Sequence, residues 1–159
     1  MDIEIKKMQT DEEKKGKAFV HWRSWHTTYP GLVIREYLDK LTLDKCEEMA
    51  FKWPDNILVA KNEEQVVGFI GYGESTENPN AGEIFALYVL PEYCGKGIGS
   101  KLMNAGLDLL QTYPQVYVWL LKENKNAFRF YLKCGFIPDG KEKMSEKVGA
   151  EGIRMTLCR

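Results

Sequence analysis

The chain has 159 residues, of which 44% are hydrophobic and 28% are charged. This length is typical of one globular domain, so we expect a single domain over residues 1–159. The formal net charge of −1 indicates neither a nucleic-acid partner nor binding to an anionic membrane. No apolar run is long enough to cross a bilayer, and the first residues lack the pattern of a signal peptide. We therefore expect a cytoplasmic protein.

The cysteines and histidines do not form a recognisable metal motif. The four cysteines lie far apart without a CxxC pair, which disfavours both a disulfide framework and a metal cluster. His21 and His26 share no helix face well and belong to no HExxH motif. We expect both histidines to be solvated or core side chains, and we expect no bound metal.

The first third of the chain is predicted to be mostly helical. Alternation of isoleucine with charged residues predicts a short strand at residues 3–5. The Thr10 cap and the acidic residues after it predict a helix that runs to about Thr27. A second helical region is predicted over residues 34–52, in two pieces around Thr42.

The rest of the chain alternates strands with two further helices. Predicted strands occupy residues 57–61, 65–74, 83–90, 116–121, 140–147 and 152–158. Predicted helices occupy residues from 98 to about 112 and from 124 to 134, and the core face of the first is predicted to be Ile98, Leu102, Ala105 and Leu109. A strand, a glycine loop, a helix and another strand follow one another, which makes strands 83–90 and 116–121 parallel neighbours. The fold class is therefore α/β or α+β, with a mixed, mostly antiparallel sheet of about seven strands and helices on both faces.

Three alternating glycines, Gly95, Gly97 and Gly99, lie between a predicted strand and a predicted helix. Glycine permits positive φ and lets a ligand approach the backbone closely. The first N–H groups of a helix have no internal partner and carry the positive end of its dipole, so they can bind a phosphate. Ser100 and Lys101 can add a hydroxyl and a charge. The spacing matches neither a Walker A motif nor GxGxxG, and a purely structural turn is the alternative.

The segment around this loop resembles the GCN5-related N-acetyltransferase (GNAT) family. In that family a loop of pattern [Arg/Gln]-x-x-Gly-x-[Gly/Ala] follows the fourth strand, and residues 94–99 occupy its positions. Cys94 stands where Arg or Gln is usual, which removes one potential phosphate partner. A second segment, residues 124–136, resembles the family pattern Asn-x-x-Ala-x-x-Phe-Tyr-x-x-x-Gly-Phe. The resemblance implies the GNAT fold and one N-acetyltransferase domain.

The resemblance also implies acetyl-CoA as co-substrate, with its pyrophosphate on the glycine loop and its pantetheine arm along the preceding strand end. The residues implied to bind it are Leu87, Tyr88, Val89, Cys94, Gly95, Lys96, Gly97, Ile98, Gly99, Ser100, Asn124, Ala127 and Tyr131. Because Asn is also a good helix N-cap, a structural role for Asn124 is an alternative.

Two residues are candidates for catalysis. By the resemblance, the hydroxyl of Tyr131 reaches the CoA sulfur and can protonate it, and core packing is the alternative. Glu83 begins a strand that is otherwise predicted to be buried, where the pKa of a carboxyl group can be raised, so it is the candidate general base, directly or through water. A solvated charge at a strand end is the alternative for Glu83. Trp25, Tyr29 and Tyr72 are candidates for the acceptor site, or else core residues.

The predicted function is transfer of an acetyl group from acetyl-CoA to the primary amine of a small molecule or peptide, by direct attack in a ternary complex. A second hypothesis is a non-catalytic CoA-binding sensor or regulatory domain, which would not need Tyr131 or Glu83. A third, a nucleotide-binding protein, is disfavoured by the Gly-x-Gly-x-Gly spacing. The resemblance makes a homodimer reasonable.

Overall fold

The structure is a computed structural model that describes residues 1–159. Its elements in chain order are β1 (Ile3–Lys7), α1 (Asp11–Thr28), α2 (Arg35–Lys40), α3 (Leu43–Lys52), β2 (Ile57–Asn62), β3 (Gln65–Glu74), β4 (Gly82–Val89), α4 (Ile98–Leu109), β5 (Gln115–Leu121), α5 (Lys125–Lys133), β6 (Ile137–Ser145) and β7 (Ala150–Cys158). A short 3₁₀ turn, Pro91–Tyr93, separates β4 from the glycine loop.

All strands belong to one sheet of seven, in the order β1-β2-β3-β4-β5-β7-β6. Neighbours are antiparallel except β4 and β5, which are parallel. The prediction of a mixed, mostly antiparallel sheet is therefore confirmed, including its one parallel pair.

Helices cover both faces of the sheet, as predicted. On one face the Lys17 ammonium of α1 lies 4.8 Å from the ring centroid of Phe69 in β3. On the other face α4 approaches the next residue of β3, because a Cβ added to Gly106 would stand 2.9 Å from Cδ1 of Ile70. We call these surfaces the α1 face and the α4 face. None of the helices combines the length and the apolar content that spanning a bilayer requires.

The helical first third follows from its capping residues. The Thr10 hydroxyl accepts from the N–H of Glu13 while the Glu13 carboxylate accepts from the N–H of Thr10, a complete capping box. The second helical region divides into α2 and α3, because Thr42 caps α3 through the N–H of Lys45. The predicted break around Thr42 is therefore confirmed.

The predicted core face of α4 is wrong at Leu109. Leu109 ends the helix and its side chain is 46% exposed, whereas Met103 and Gly106 are buried together with Ile98 and Leu102. The small Gly106 lets the helix axis approach β3, so the buried stripe turns towards Met103 and away from Leu109.

The closing strands begin earlier than the sequence predicts. β6 starts at Ile137 rather than 140, and β7 starts at Ala150 rather than 152. Residues 138–140 form an irregularity inside the strand, since the register shifts between Pro138 and Glu142. Gly140 supplies the positive φ of 89° that this irregularity needs.

The N-terminus of α1 is tied to the sheet by a buried carboxylate. Glu13 is 2% exposed and accepts from Lys6 at 2.7 Å, Lys61 at 3.1 Å and the N–H of Gln9 at 2.8 Å. Burial opposes ionisation of Glu13, but the hydrogen bonds from Lys6, the backbone N–H groups and Lys61 together outweigh it and lower its pKa to about 2.

We predict that Glu13→Gln lowers the free energy of unfolding at pH 7 by about 3 kcal/mol, the linkage value of a pKa lowered from 4.5 to about 2. Because the folded-state pKa is the lower one, this stabilisation is complete above the unfolded pKa and is lost as the pH falls towards 2. Urea unfolding between neutral and acid pH measures it. Glu12→Gln, at an exposed position of the same helix turn, is the control. Unchanged pH dependence in Glu13→Gln would contradict the assignment.

Candidate active site

The sheet opens between β4 and β5. These strands are paired only at Gly82–Val116, Glu83–Tyr117 and Ile84–Val118, and no pair follows. On its other side β4 skips Phe85, since Tyr72 of β3 faces Ile84 and Gly71 faces Ala86. Such a bulge bends its strand, so β4 turns away from β5 beyond this point. A cleft of about 640 Å³ occupies the opening.

The cleft is lined by residues from both faces of the sheet, and we call its end on each face a mouth. On the α1 face its lining includes Ser24, Thr28 and Tyr29 of the helical layer and Phe85 and Trp119 of the strands. The other mouth is lined from the α4 face by the glycine loop and by α5 residues such as Asn126, Phe130 and Lys133. Two ligands can therefore approach the middle of the sheet from opposite sides.

The glycine loop forms an anion-accepting surface at the second mouth. Gly95 and Gly97 have φ of 78° and 81°, and a Cβ added to either would meet no atom within 4 Å. No backbone N–H from Gly95 to Ser100 donates to another backbone group, and Gly97 caps α4 without a side-chain partner. Unpaired N–H groups at a helix N-terminus carry positive potential, so this loop can hold a phosphate.

The Cys94 side chain contacts the backbone at the end of β4. Its thiol lies 3.5 Å from the carbonyl oxygen of Leu90 and 3.7 Å from that of Val89, within hydrogen-bond range for sulfur. Burial and the charge of Glu92 raise the pKa of the Cys94 thiol. Cys94 therefore closes the turn after β4 as a protonated donor, and the loop backbone is left to bind an anion by itself.

Three tyrosines meet beside the centre of the cleft. The hydroxyls of Tyr29 and Tyr88 are 3.3 Å apart, and Tyr131 on α5 is 8% exposed. Burial raises the pKa of Tyr29 and of Tyr131 and raises that of Tyr88 well above its usual range. All three hydroxyls therefore keep their protons at ordinary pH, and the Tyr131 hydroxyl, which lies outside the Tyr29–Tyr88 hydrogen bond, is available as a donor.

Most of the predicted cofactor-binding residues line the cleft: Leu87, Tyr88, Val89, Cys94, Gly95, Gly97, Ile98, Gly99, Ser100, Asn124, Ala127 and Tyr131. Lys96 does not line it and is exposed. Asn124 has the structural role considered above, because its side chain caps α5 by accepting from the N–H of Ala127 at 3.2 Å.

The residues predicted for the acceptor site and for the general base do not all lie at the cleft. Of the three acceptor candidates only Tyr29 lines the cleft. Trp25 packs edge-on against Tyr29 with centroids 4.4 Å apart, and Tyr72 packs against the main core. Glu83 lies just before the strands part, 7% exposed, and its Oε1 has no hydrogen-bond partner. Burial raises the pKa of Glu83, and the neighbouring charge of Glu77 raises it further.

Sequence reasoning missed several lining residues, notably Ser24, Thr28, Phe85 and Trp119. Ser24 is 4% exposed and its hydroxyl has no hydrogen-bond partner. Its spacing of four from Thr28 on a predicted helix is a signal that could have found both. Phe85 lies at the mouth because of the bulge, and no local sequence pattern predicts that bulge. No group of three or more His, Cys, Asp or Glu side chains is arranged to hold a metal ion.

Comparisons with known proteins agree with this architecture. The model of the acetyltransferase (GNAT) family matches residues 19–136. The uncharacterised N-acetyltransferase YuaI of Bacillus subtilis is 31% identical over 129 residues, which cover 76% of this chain and 72% of that protein. The spermidine N(1)-acetyltransferase of Thermoplasma acidophilum is 28% identical over 161 residues, covering 92% and 98%.

A solved structure shows the same fold. The PaiA N-acetyltransferase of Thermoplasma acidophilum, crystallised in complex with coenzyme A, superposes with a TM-score of 0.78 over 100% of both chains at 24% identity. At that identity the likeness concerns the fold. With a family match over most of its length, this chain belongs to the GNAT family of acetyltransferases.

Proposed function

We propose that this chain transfers an acetyl group from acetyl-CoA to the primary amine of a small molecule or peptide, by direct attack in a ternary complex. The observation that carries the proposal is the cleft through the sheet where β4 and β5 part. A cleft with two mouths lets two reactants meet in a fixed orientation, which is itself a large source of rate enhancement.

The glycine loop and the open edge of β4 fit the co-substrate. Acetyl-CoA would supply the acyl group as an activated thioester. The free N–H groups of Gly95 to Ser100 would hold its pyrophosphate. The edge of β4 beyond Ile84, which has no partner on the β5 side, would hydrogen-bond its pantetheine arm as an added strand does. A backbone N–H near Leu87–Val89 would stabilise negative charge that develops on the acyl oxygen.

Tyr131 is the proposed proton donor to the departing thiolate. Its side chain lines the cleft, and its raised pKa comes from burial and from the neighbouring Tyr29 and Cys134, without a contribution from a hydrogen bond. Because burial raises its pKa, the phenol is protonated before the reaction. A thiolate with a lower pKa takes a full proton from it only uphill, so its main contribution is a hydrogen bond that stabilises the leaving group.

Glu83 is the proposed general base for the amine. Since it lies outside the lining of the cleft, we propose that it acts through a water molecule on the α1 face. Its unpartnered Oε1 leaves an acceptor position for that water. A raised pKa brings a carboxylate closer to the working pH, which makes it a better base than an ordinary surface Glu.

We predict that Tyr131→Phe lowers kcat by about 100-fold, within the range for a general acid, while acetyl-CoA affinity changes by less than about twofold. Release of free thiol with an amine panel that includes spermidine measures it. Tyr113→Phe, half-buried after α4 and outside the cleft, is the control. A non-catalytic sensor would bind CoA and show no turnover with any amine, and its binding would be indifferent to Tyr131→Phe.

We predict that Glu83→Gln removes the acid limb of the pH profile of kcat/KM and lowers its plateau by about 100-fold. The base must be ionised, and its folded-state pKa is raised above 4.5, so wild-type activity should fall as the pH drops through that raised value. Glu74→Gln, exposed at the end of β3, is the matched control. A Glu83→Gln enzyme with the wild-type rate and profile would exclude Glu83 as the base.

A further inference from the structure

An aromatic and charged patch adjoins the α1-face mouth of the cleft. It consists of Glu77, Trp119, Lys143 and Arg154, and we call it the Trp119 patch. The indole N–H of Trp119 donates to Oε1 of Glu77 at 2.6 Å. Its ring lies over the backbone of β7, because a Cβ added to Gly152 would stand 3.6 Å from the ring. Trp119 also lines the cleft, so the patch is continuous with the place where an acceptor enters.

The guanidinium of Arg154 is already paired with other groups of the protein. Its Nε lies 2.6 Å from Oδ2 of Asp139, and its guanidinium lies 3.9 Å from the ring centroid of Tyr117. The contact of Arg154 with Glu77 is longer, at 3.6 Å. Glu77 therefore keeps a partly free carboxylate, held in place by the indole of Trp119.

Lys143 behaves as a weakly held cation on this patch. Its ammonium lies 4.1 Å from the ring centroid of Trp119. Lys122 and Lys125 each pair with carboxylates within 4.0 Å, but Lys143 takes part in none of the salt bridges or side-chain hydrogen bonds of the protein. A cation–π contact at an exposed site is weak, so another ammonium group can replace it.

A second carboxyl group lies close by and is incompletely satisfied. The charge of Glu77 raises the pKa of Glu83, and the charges of Lys143 and Arg154 lower it. One oxygen of Glu83 has no hydrogen-bond partner. Together with Glu83, the patch offers an aromatic face and two acidic groups, which is the chemistry that recognises an organic ammonium ion.

We propose that the Trp119 patch binds the distal ammonium group of a diamine or polyamine acceptor, and that the ammonium of Lys143 competes for the same place. The inference rests on the proposed function: the reacting amine enters the cleft neutral, while a second, charged amine of the same molecule stays at the mouth. Glu77 attracts this second charge, and Lys143 repels it and must move aside.

The test compares two acceptors of equal length, 1,4-diaminobutane and butylamine, with acetyl-CoA. Lys143→Met removes the charge and keeps the length of the side chain, and we expect it to lower KM for the diamine about two- to fivefold, the equivalent of one exposed cation–π contact. Glu77→Gln keeps the acceptor oxygen for the Trp119 indole, and we expect it to raise KM for the diamine by a similar factor. KM for butylamine should not change in either variant. Lys141→Met, exposed on the same strand, is the control.

Equal effects on both acceptors, or no effect on the diamine, would overturn the proposal. The proposed function is tested separately by the amine panel above; if the wild-type enzyme acetylates neither of these two amines, the patch is tested by binding alone. Calorimetric titration of 1,4-diaminobutane into the CoA-saturated protein then decides: tighter binding by Lys143→Met supports the patch, and equal or absent binding overturns it.

Discussion

β4 and β5 are the one parallel pair of the sheet, and they remain paired for only three residue pairs before they part. Strand edges inside a sheet normally satisfy each other, so the parted edges leave backbone groups that need water or a ligand. The bulge at Phe85 changes the direction of β4 while β4 stays paired with β3, so the separation from β5 follows from the structure of β4 itself. The cleft, its two mouths and the position of the glycine loop all follow from this opening.

The two mouths of the cleft differ in electrostatic character. The loop from Gly95 to Ser100 offers unpaired N–H groups and the positive end of α4, which suits phosphate groups. The α1-face mouth offers aromatic rings and carboxyl groups: the Lys143 ammonium lies over the Trp119 ring, and the Trp119 indole donates to Glu77. In the proposed reaction, this difference would bring an anionic co-substrate and an acceptor that carries an ammonium group to opposite faces of the sheet. Between them lie buried hydroxyls, such as that of Tyr131, whose raised pKa keeps them as donors.

The sequence was most informative where chemistry is local. The glycine loop and the α5 segment predicted the second mouth, because positive φ and helix capping depend on a few consecutive residues. Most residues of the α1-face mouth were not predicted from the sequence. Phe85 lines it because of the bulge in β4, and Trp119 lines it because β4 and β5 lie side by side in the sheet. Leu109 was placed in the core because helical periodicity fixes a stripe only approximately, and Gly106 shifted the contact with β3. Tyr72 is an aromatic residue of a type that often lines pockets, but from its position on β3 it packs against the main core.

If the glycine loop holds the phosphates of CoA, the most direct test is calorimetric titration of CoA into Gly97→Asp. Gly97 and Gly140 both have positive φ and open space at the Cβ position, so Gly140→Asp imposes the same backbone strain and charge outside the lining of the cleft. We expect Gly97→Asp to stay folded and to lose CoA binding, because its carboxylate would repel the phosphates, while Gly140→Asp binds CoA normally. Normal binding of CoA by folded Gly97→Asp would show that the phosphates do not bind at the glycine loop.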